Sequence, residues 1–236
     1  MTPTSARPET KPTTPPLEEG QHLSRDEFER RYDATPNIWK AELIEGVVHM
    51  PPPVSFEGHS SPHFDLITWL GMYKVTTPGV RGGDNSSLRL DLSNMPQPDA
   101  CLLIDPARGG SARIDADDYI AGAPELVAEV SSSSIYRDLG SRLTIYQRNG
   151  VREYLVWRVQ AGAVDWFVLR DGQFVKLAAD ENGILRSETF PGLWLDVAAL
   201  VRGDIARVLA VLQQGTATPE HAAFVTRLQI PPSSGS

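Results

Sequence analysis

The chain reads as an α/β protein with a central mixed β-sheet flanked by helices, antiparallel hairpins and a C-terminal helical appendage. Three observations predict this. Apolar runs over Pro124 to Val130 and Tyr154 to Arg158 bracket a helical pattern from Asp138 to Gln147, a strand-helix-strand unit. Turn dipeptides at Glu45-Gly46 and Asp171-Gly172 separate short β-prone runs, as hairpins require. The 236 residues are 41% hydrophobic and 22% charged, a composition that sustains a buried core.

Ser24-Arg25-Asp26-Glu27 is a Ser-x-x-Glu capping pattern and opens a short helix through about Tyr32. Residues 41–50 form the first hairpin. Leu66, Ile67, Leu70 and Tyr73 recur at helical spacing, which predicts a helix over 62–74 with one buried face. Leu88, Leu90 and Leu92 alternate with Arg89 and Asp91, so 88–92 is expected to pair with 99–104 as a second hairpin. Antiparallel strands follow at 164–169 and 173–177, with a short one after Asn182-Gly183. Ile205, Val208, Leu209 and Leu212 mark a helix closed by Gly215, and Thr218-Pro219 starts another. The resulting organisation is a Pro/Thr-rich tail at 1–20, a main domain at 21–200, a helical appendage at 201–230 and a polar tail at 231–236.

Composition excludes several classes. The lone cysteine, Cys101, can make neither an internal disulfide nor a thiolate metal site, so a reducing cytoplasm is the expected location. No apolar run reaches the roughly 18 residues of a membrane span. With 22 basic and 30 acidic residues the net charge is −8, which argues against coating nucleic acid by bulk positive charge and leaves a local basic groove open. The excess of arginine at Arg137, Arg142, Arg148, Arg152 and Arg158 reads equally as a phosphate-facing patch or as solvated helix surface. The five tryptophans, Trp39, Trp69, Trp157, Trp166 and Trp194, sit among apolar residues and read as core. The Ser131 to Ser134 run lacks a Gly-x-Ser-x-Gly elbow and reads as a loop before the next helix. His49, His59 and His63 have no regular zinc spacing.

Glu42, Asp99 and Glu129 stand inside β-prone apolar runs, where ionised groups are rare unless paired or bound to a metal. In Leu126-Val127-Ala128-Glu129-Val130 the acid shares a face with Val127, opposite Leu126, Ala128 and Val130. Asp99 follows Pro98 at a strand end. Such carboxylates form a hard oxygen shell suited to Mg²⁺ or Mn²⁺ and to phosphodiester hydrolysis, or they are structural acids bridged to arginine.

The segments Ala41 to Val48 with His63, Gln97-Pro98-Asp99, Pro124 to Ser131, and Asp138 through Tyr146 into Gly150-Val151-Arg152-Glu153-Tyr154 resemble the Uma-two restriction-endonuclease family of the PD-(D/E)xK superfamily. The resemblance spans about residues 22 to 170, and Phe190 to Leu195 looks like the C-terminal part of longer members. It implies a restriction-endonuclease-like fold and Mg²⁺- or Mn²⁺-dependent hydrolysis of DNA. It implies Asp99 and Glu129 as metal-binding acids, Val130 as a carbonyl ligand, Glu42 as the upstream acid and His63 as a residue facing water or phosphate. The lysine expected two positions after the second acid is replaced by Ser131, and the family's displaced lysine falls on Arg142. A guanidinium stays charged and cannot act as a base, so Arg142 would bind phosphate and stabilise charge, or would pair with Asp138 on the helix surface. The competing reading is a nuclease-fold nucleic-acid-binding module without turnover, and a third is hydrolysis of RNA or another phosphoester. DNA is the expected partner, and a homodimer is expected only from the two-fold symmetry of duplex substrates.

Overall fold

The computed structural model describes residues 14–35, 40–132 and 134–230. Most of the expected N-terminal tail, the C-terminal tail, Trp39 and Ser133 lie outside the described residues. Helix α1 (Arg25–Asp33) is capped by Ser24, whose hydroxyl accepts from the Glu27 amide. The Glu27 carboxylate pairs with Arg30 and Arg31. The expected tail ends earlier than residue 20. Leu17 is buried with Phe28 and Val48, and Gly20 donates its N–H to the Val48 carbonyl.

Strands β1 (Glu42–Ile44) and β2 (Val47–His49) form the first hairpin, and Glu45 and Gly46 take φ of 52° and 76°. Two consecutive positive φ values define the tight turn that matches strand twist. A π-helical turn, Phe56–Ser60, leads into α2 (Ser61–Thr76), whose Leu66, Trp69, Leu70 and Tyr73 are buried. Strand β3 (Val80–Asp84) follows, then β4 (Leu88–Arg89) and β5 (Ala100–Ile104).

The hairpin expected between 88–92 and 99–104 does not form. β4 pairs in parallel with β7 (Ile120–Ala121), which also pairs with β6 (Arg113–Ile114). The alternation stops at Asp91, whose carboxylate takes the Ser93 amide and the Asn94 side chain and turns the chain, leaving Leu92 exposed. β5 instead sits between β3 and β8 (Leu126–Ser131).

After β8, a short helical turn α3 (Ile135–Arg137), a π-helical turn (Asp138–Arg142) and α4 (Leu143–Arg148) cross over to β9 (Glu153–Arg158), which lies parallel to β8. β10 (Ala163–Arg170) and β11 (Gln173–Lys176) complete a six-stranded sheet of order β11-β10-β9-β8-β5-β3. The second tight turn, Asp171-Gly172, has φ of 50° and 76°. β12 (Ile184–Arg186) and β13 (Trp194–Asp196) form a separate hairpin, followed by α5 (Val197–Val201), α6 (Ile205–Thr216) and α7 (Pro219–Gln229).

One sheet face, bearing Leu126, Ala128 and Val130, packs against α2, and α6 and α7 join that core through Val208, Leu212, Phe224 and Leu228. The other face, with Cys101, Val127 and Val156, packs against α4 and the short β4-β7-β6 sheet. Burial holds the Cys101 thiol up at about 12. Trp69 and Trp166 meet edge to face at 5.8 Å, as core residues. The glutamate of Gly-Val-x-Glu-Tyr is structural. Glu153 is buried and accepts from Trp166 Nε1, the Ser187 hydroxyl and the Glu188 and Thr189 amides, joining the sheet to the loop before β13.

Gly215 does not close α6 but lies inside it. A Cβ there would come within 2.3 Å of the Gly192 carbonyl oxygen and 2.8 Å of Trp194 Cγ, so this is a close-approach glycine. Gly215→Ala is expected to overpack the contact and destabilise by about 1–3 kcal/mol, measured as a lowered urea midpoint. His221 of α7 is buried, with Nε2 3.0 Å from the Thr77 hydroxyl. Burial pulls its imidazole below the ordinary 6.5. The folded state therefore binds that proton more weakly than the unfolded chain, and the stabilisation is present above about pH 6.5 and lost as pH falls through the folded value. His221→Gln should flatten the acid side of the profile of Tm against pH. An unchanged slope would contradict this assignment.

Candidate functional site

Both π-helical turns and the ends of β1, β5 and β8 converge on one buried polar cluster. The residues at spacing 138, 142 and 146 share a helix face, and the structure turns Asp138, Arg142 and Tyr146 inward towards β8. π-Helical turns often occur at functional sites, where they re-aim side chains within a helix. Glu42 arrives from β1 and Glu129 from β8, on the sheet face the alternation predicted.

Arg142 lies at the centre. Its Nη2 donates to Glu42 Oε2, and its Nη1 is 2.7 Å from Asp138 Oδ1 and 3.1 Å from Glu129 Oε2. Glu42, Asp138 and Glu129 are 0%, 0% and 2% exposed and Arg142 is 6% exposed, so the Asp138–Arg142 pair is an interior contact and not a helix-surface one. The remaining oxygens are also occupied. Glu42 Oε1 accepts the Gln97 amide at 2.7 Å, Glu129 Oε1 accepts the Tyr146 hydroxyl at 3.2 Å, and the Ser134 hydroxyl donates to Asp138 Oδ2. Burial, reinforced by Asp99, Asp138 and Glu42, outweighs the pull of Arg142 and holds the Glu129 carboxyl well above the ordinary range. The carboxylates keep Arg142 firmly protonated despite its burial.

Asp99 stands beside this cluster with different partners. Its Oδ2 accepts the Val130 amide at 2.8 Å, while Oδ1 faces His59 Nε2 at 3.4 Å and Lys40 Nζ at 3.8 Å. Burial opposes ionisation of Asp99, but His59, Lys40 and the Val130 N–H together hold its carboxyl below the usual range. His59 Nδ1 is 3.0 Å from the Val130 carbonyl oxygen. Both nitrogens thus face acceptors, which favours the doubly protonated ring. The hydrogen bond with Asp99, above all, raises its pKa. His63 Nε2 lies 2.9 Å from the Asp99 carbonyl and 3.1 Å from Asp84 Oδ1, so this nitrogen donates.

All the expected site residues, Glu42, Asp99, Glu129, Val130, Arg142 and His63, therefore lie at one end of the sheet. His59 contacts both Asp99 and Val130, a closer place than sequence alone assigned. Tyr146, Gln97 and Lys40 were missed as site residues. Tyr146 was legible from its spacing to Arg142, and Lys40 lies two residues before Glu42, as residues on one face of an extended segment do. Of the other arginines, Arg148 pairs with Glu45 and Asp91, and Arg158 pairs with Asp165.

A divalent ion of the Mg²⁺ type needs several oxygens free to face it. Here each oxygen of Glu42, Asp99 and Glu129, and the Val130 carbonyl, already faces a protein donor or cation. Among the described residues, no group of three or more His, Cys, Asp or Glu side chains is arranged to hold an ion. The site residues as placed do not fit the implied metal.

Among solved structures, the chain is similar to a crystal structure described as "a putative nuclease belonging to DUF820 from Anabaena variabilis ATCC 29413". The two share 14% identity with a TM-score of 0.56, over 76% of this chain and 99% of that one, which shows a common fold. No curated protein matches the chain. No helix among the described residues is long and apolar enough to cross a membrane. The model of the Uma2 family, described as "Putative restriction endonuclease", matches residues 25–198, well over half of the chain, and the chain belongs to that family.

Proposed function

We propose that this chain is a nuclease-fold protein directed at nucleic-acid phosphodiesters, DNA first among them, in which hydrolysis is weakened or lost. The observation that carries this reading is the Arg142 guanidinium held among Glu42, Glu129 and Asp138. A lysine at this place could lose its proton when desolvated and accept one from water. A guanidinium cannot. Arg142 also cannot meet a phosphate without leaving its carboxylates. Contact with nucleic acid then falls to the rim, where His59 and His63 are partly exposed.

The family resemblance brings with it the expectation of Mg²⁺- or Mn²⁺-dependent cleavage, and retention of Glu42, Asp99 and Glu129 supports that second reading. The test combines plasmid nicking with fluorescence anisotropy of a labelled duplex. Wild type is expected to nick supercoiled plasmid no faster than Glu129→Gln in Mg²⁺ or Mn²⁺, and to bind the duplex in chelator with affinity that falls as salt rises. Nicking by wild type that Glu129→Gln abolishes would establish the metal nuclease instead. Arg142→Lys restores a group able to lose a proton, so nicking by this variant alone would identify an acidic centre disabled at one position.

A further inference from the structure

The acidic centre contains its own cation, and this bears on metal binding apart from any action on nucleic acid. Three carboxylate oxygens from separate parts of the chain, Glu42 Oε2 from β1, Glu129 Oε2 from β8 and Asp138 Oδ1 from the π-helical turn, surround one guanidinium. All three side chains are essentially inaccessible to solvent. Unpaired, such buried charges would repel one another strongly.

The guanidinium is not fully matched by these partners. Among the described residues, Arg142 Nε is buried without a hydrogen-bond acceptor, and Nη1 is shared between two carboxylates. A site built around arginine by preference would be expected to satisfy that N–H, because a buried unpaired donor is costly. The three carboxylates supply hard oxygen donors, but with Arg142 among them they are not arranged to hold an ion.

We propose that Arg142 is the resident cation of this centre: it excludes divalent ions from Glu42, Glu129 and Asp138, and its removal exposes a three-carboxylate site for a hard divalent cation. This set differs from the expected Glu42, Asp99 and Glu129 set, since Asp99 is held apart by His59, Lys40 and the Val130 amide. It follows that the native chain folds independently of divalent ions.

The experiment uses the full chain and Mn²⁺ alone, read by titration calorimetry and by Tm with and without the ion. Wild type should show no Glu129-dependent Mn²⁺ binding and no rise in Tm. Arg142→Ala should melt at a lower temperature than wild type, bind one Mn²⁺ and recover part of its Tm, because a ligand that binds only the folded state stabilises it. Adding Glu129→Gln or Asp138→Asn to Arg142→Ala should abolish that uptake. Should Arg142→Ala fail to fold, Arg142→Met, which keeps an unbranched side chain without the charge, carries the same comparison. Mn²⁺ binding by wild type that Glu129→Gln removes would overturn the proposal. So would a folded Arg142 variant that takes up no ion. Neither readout involves nucleic acid, so failure here is separable from failure of the nicking and binding assays.

Discussion

A single buried guanidinium ties together the parts of this protein that its sheet does not. Through Arg142, the first hairpin, the central strand β8 and the crossover that follows it share one electrostatic centre. Taking such charges out of water is costly, and their mutual attraction offsets that cost only with close geometry and further hydrogen bonds. Those bonds come from the Gln97 amide, the Tyr146 hydroxyl and the Ser134 hydroxyl. Breaking a buried pair of this kind typically costs about 3–5 kcal/mol, because the surviving charges are left without partners. The centre is therefore a constraint on the fold.

The same family motifs carry two different kinds of buried acid. Glu129 and Glu42 face one cation, Arg142. Glu153 and Glu125 face backbone amides and serve as fasteners: Glu125 takes the Ile104 and Ser111 amides, as Glu153 takes those of the β13 loop. Both kinds lie in or beside apolar strands. Their roles separate through the donors opposite them: Arg142 for Glu42 and Glu129, and only uncharged donors, main-chain N–H groups among them, for Glu153 and Glu125.

The site divides in a similar way. Arg142 pairs with the inner acids, while His59 and Lys40 attend Asp99. The Val130 carbonyl, implied by the resemblance as a metal ligand, is turned to His59. Membership of the Uma2 family and the shared fold do not by themselves assign chemistry to this centre, since a fold hosts chemistry through particular side chains and does not dictate it.

Much of the fold was legible because local physics decides it. The two hairpin turns need consecutive positive φ values, Ser24 and Thr218 cap their helices, and α2 announces its buried face by spacing. Strand β3 was not legible: Val-Arg-Gly-Gly-Asp has little β preference, and it becomes a strand by pairing with β5. Gly215 looked like a helix end, yet it answers to the distant Gly192 and Trp194, which no local pattern encodes. For the centre, sequence alone marked Glu42, Asp99 and Glu129 as ionisable groups where core should be, and placed Arg142 at the lysine position through family resemblance. Only the tertiary structure decided which cation each acid receives. A buried charge is defined by its nearest partners, and here Glu42 and Arg142 stand 100 residues apart in the chain.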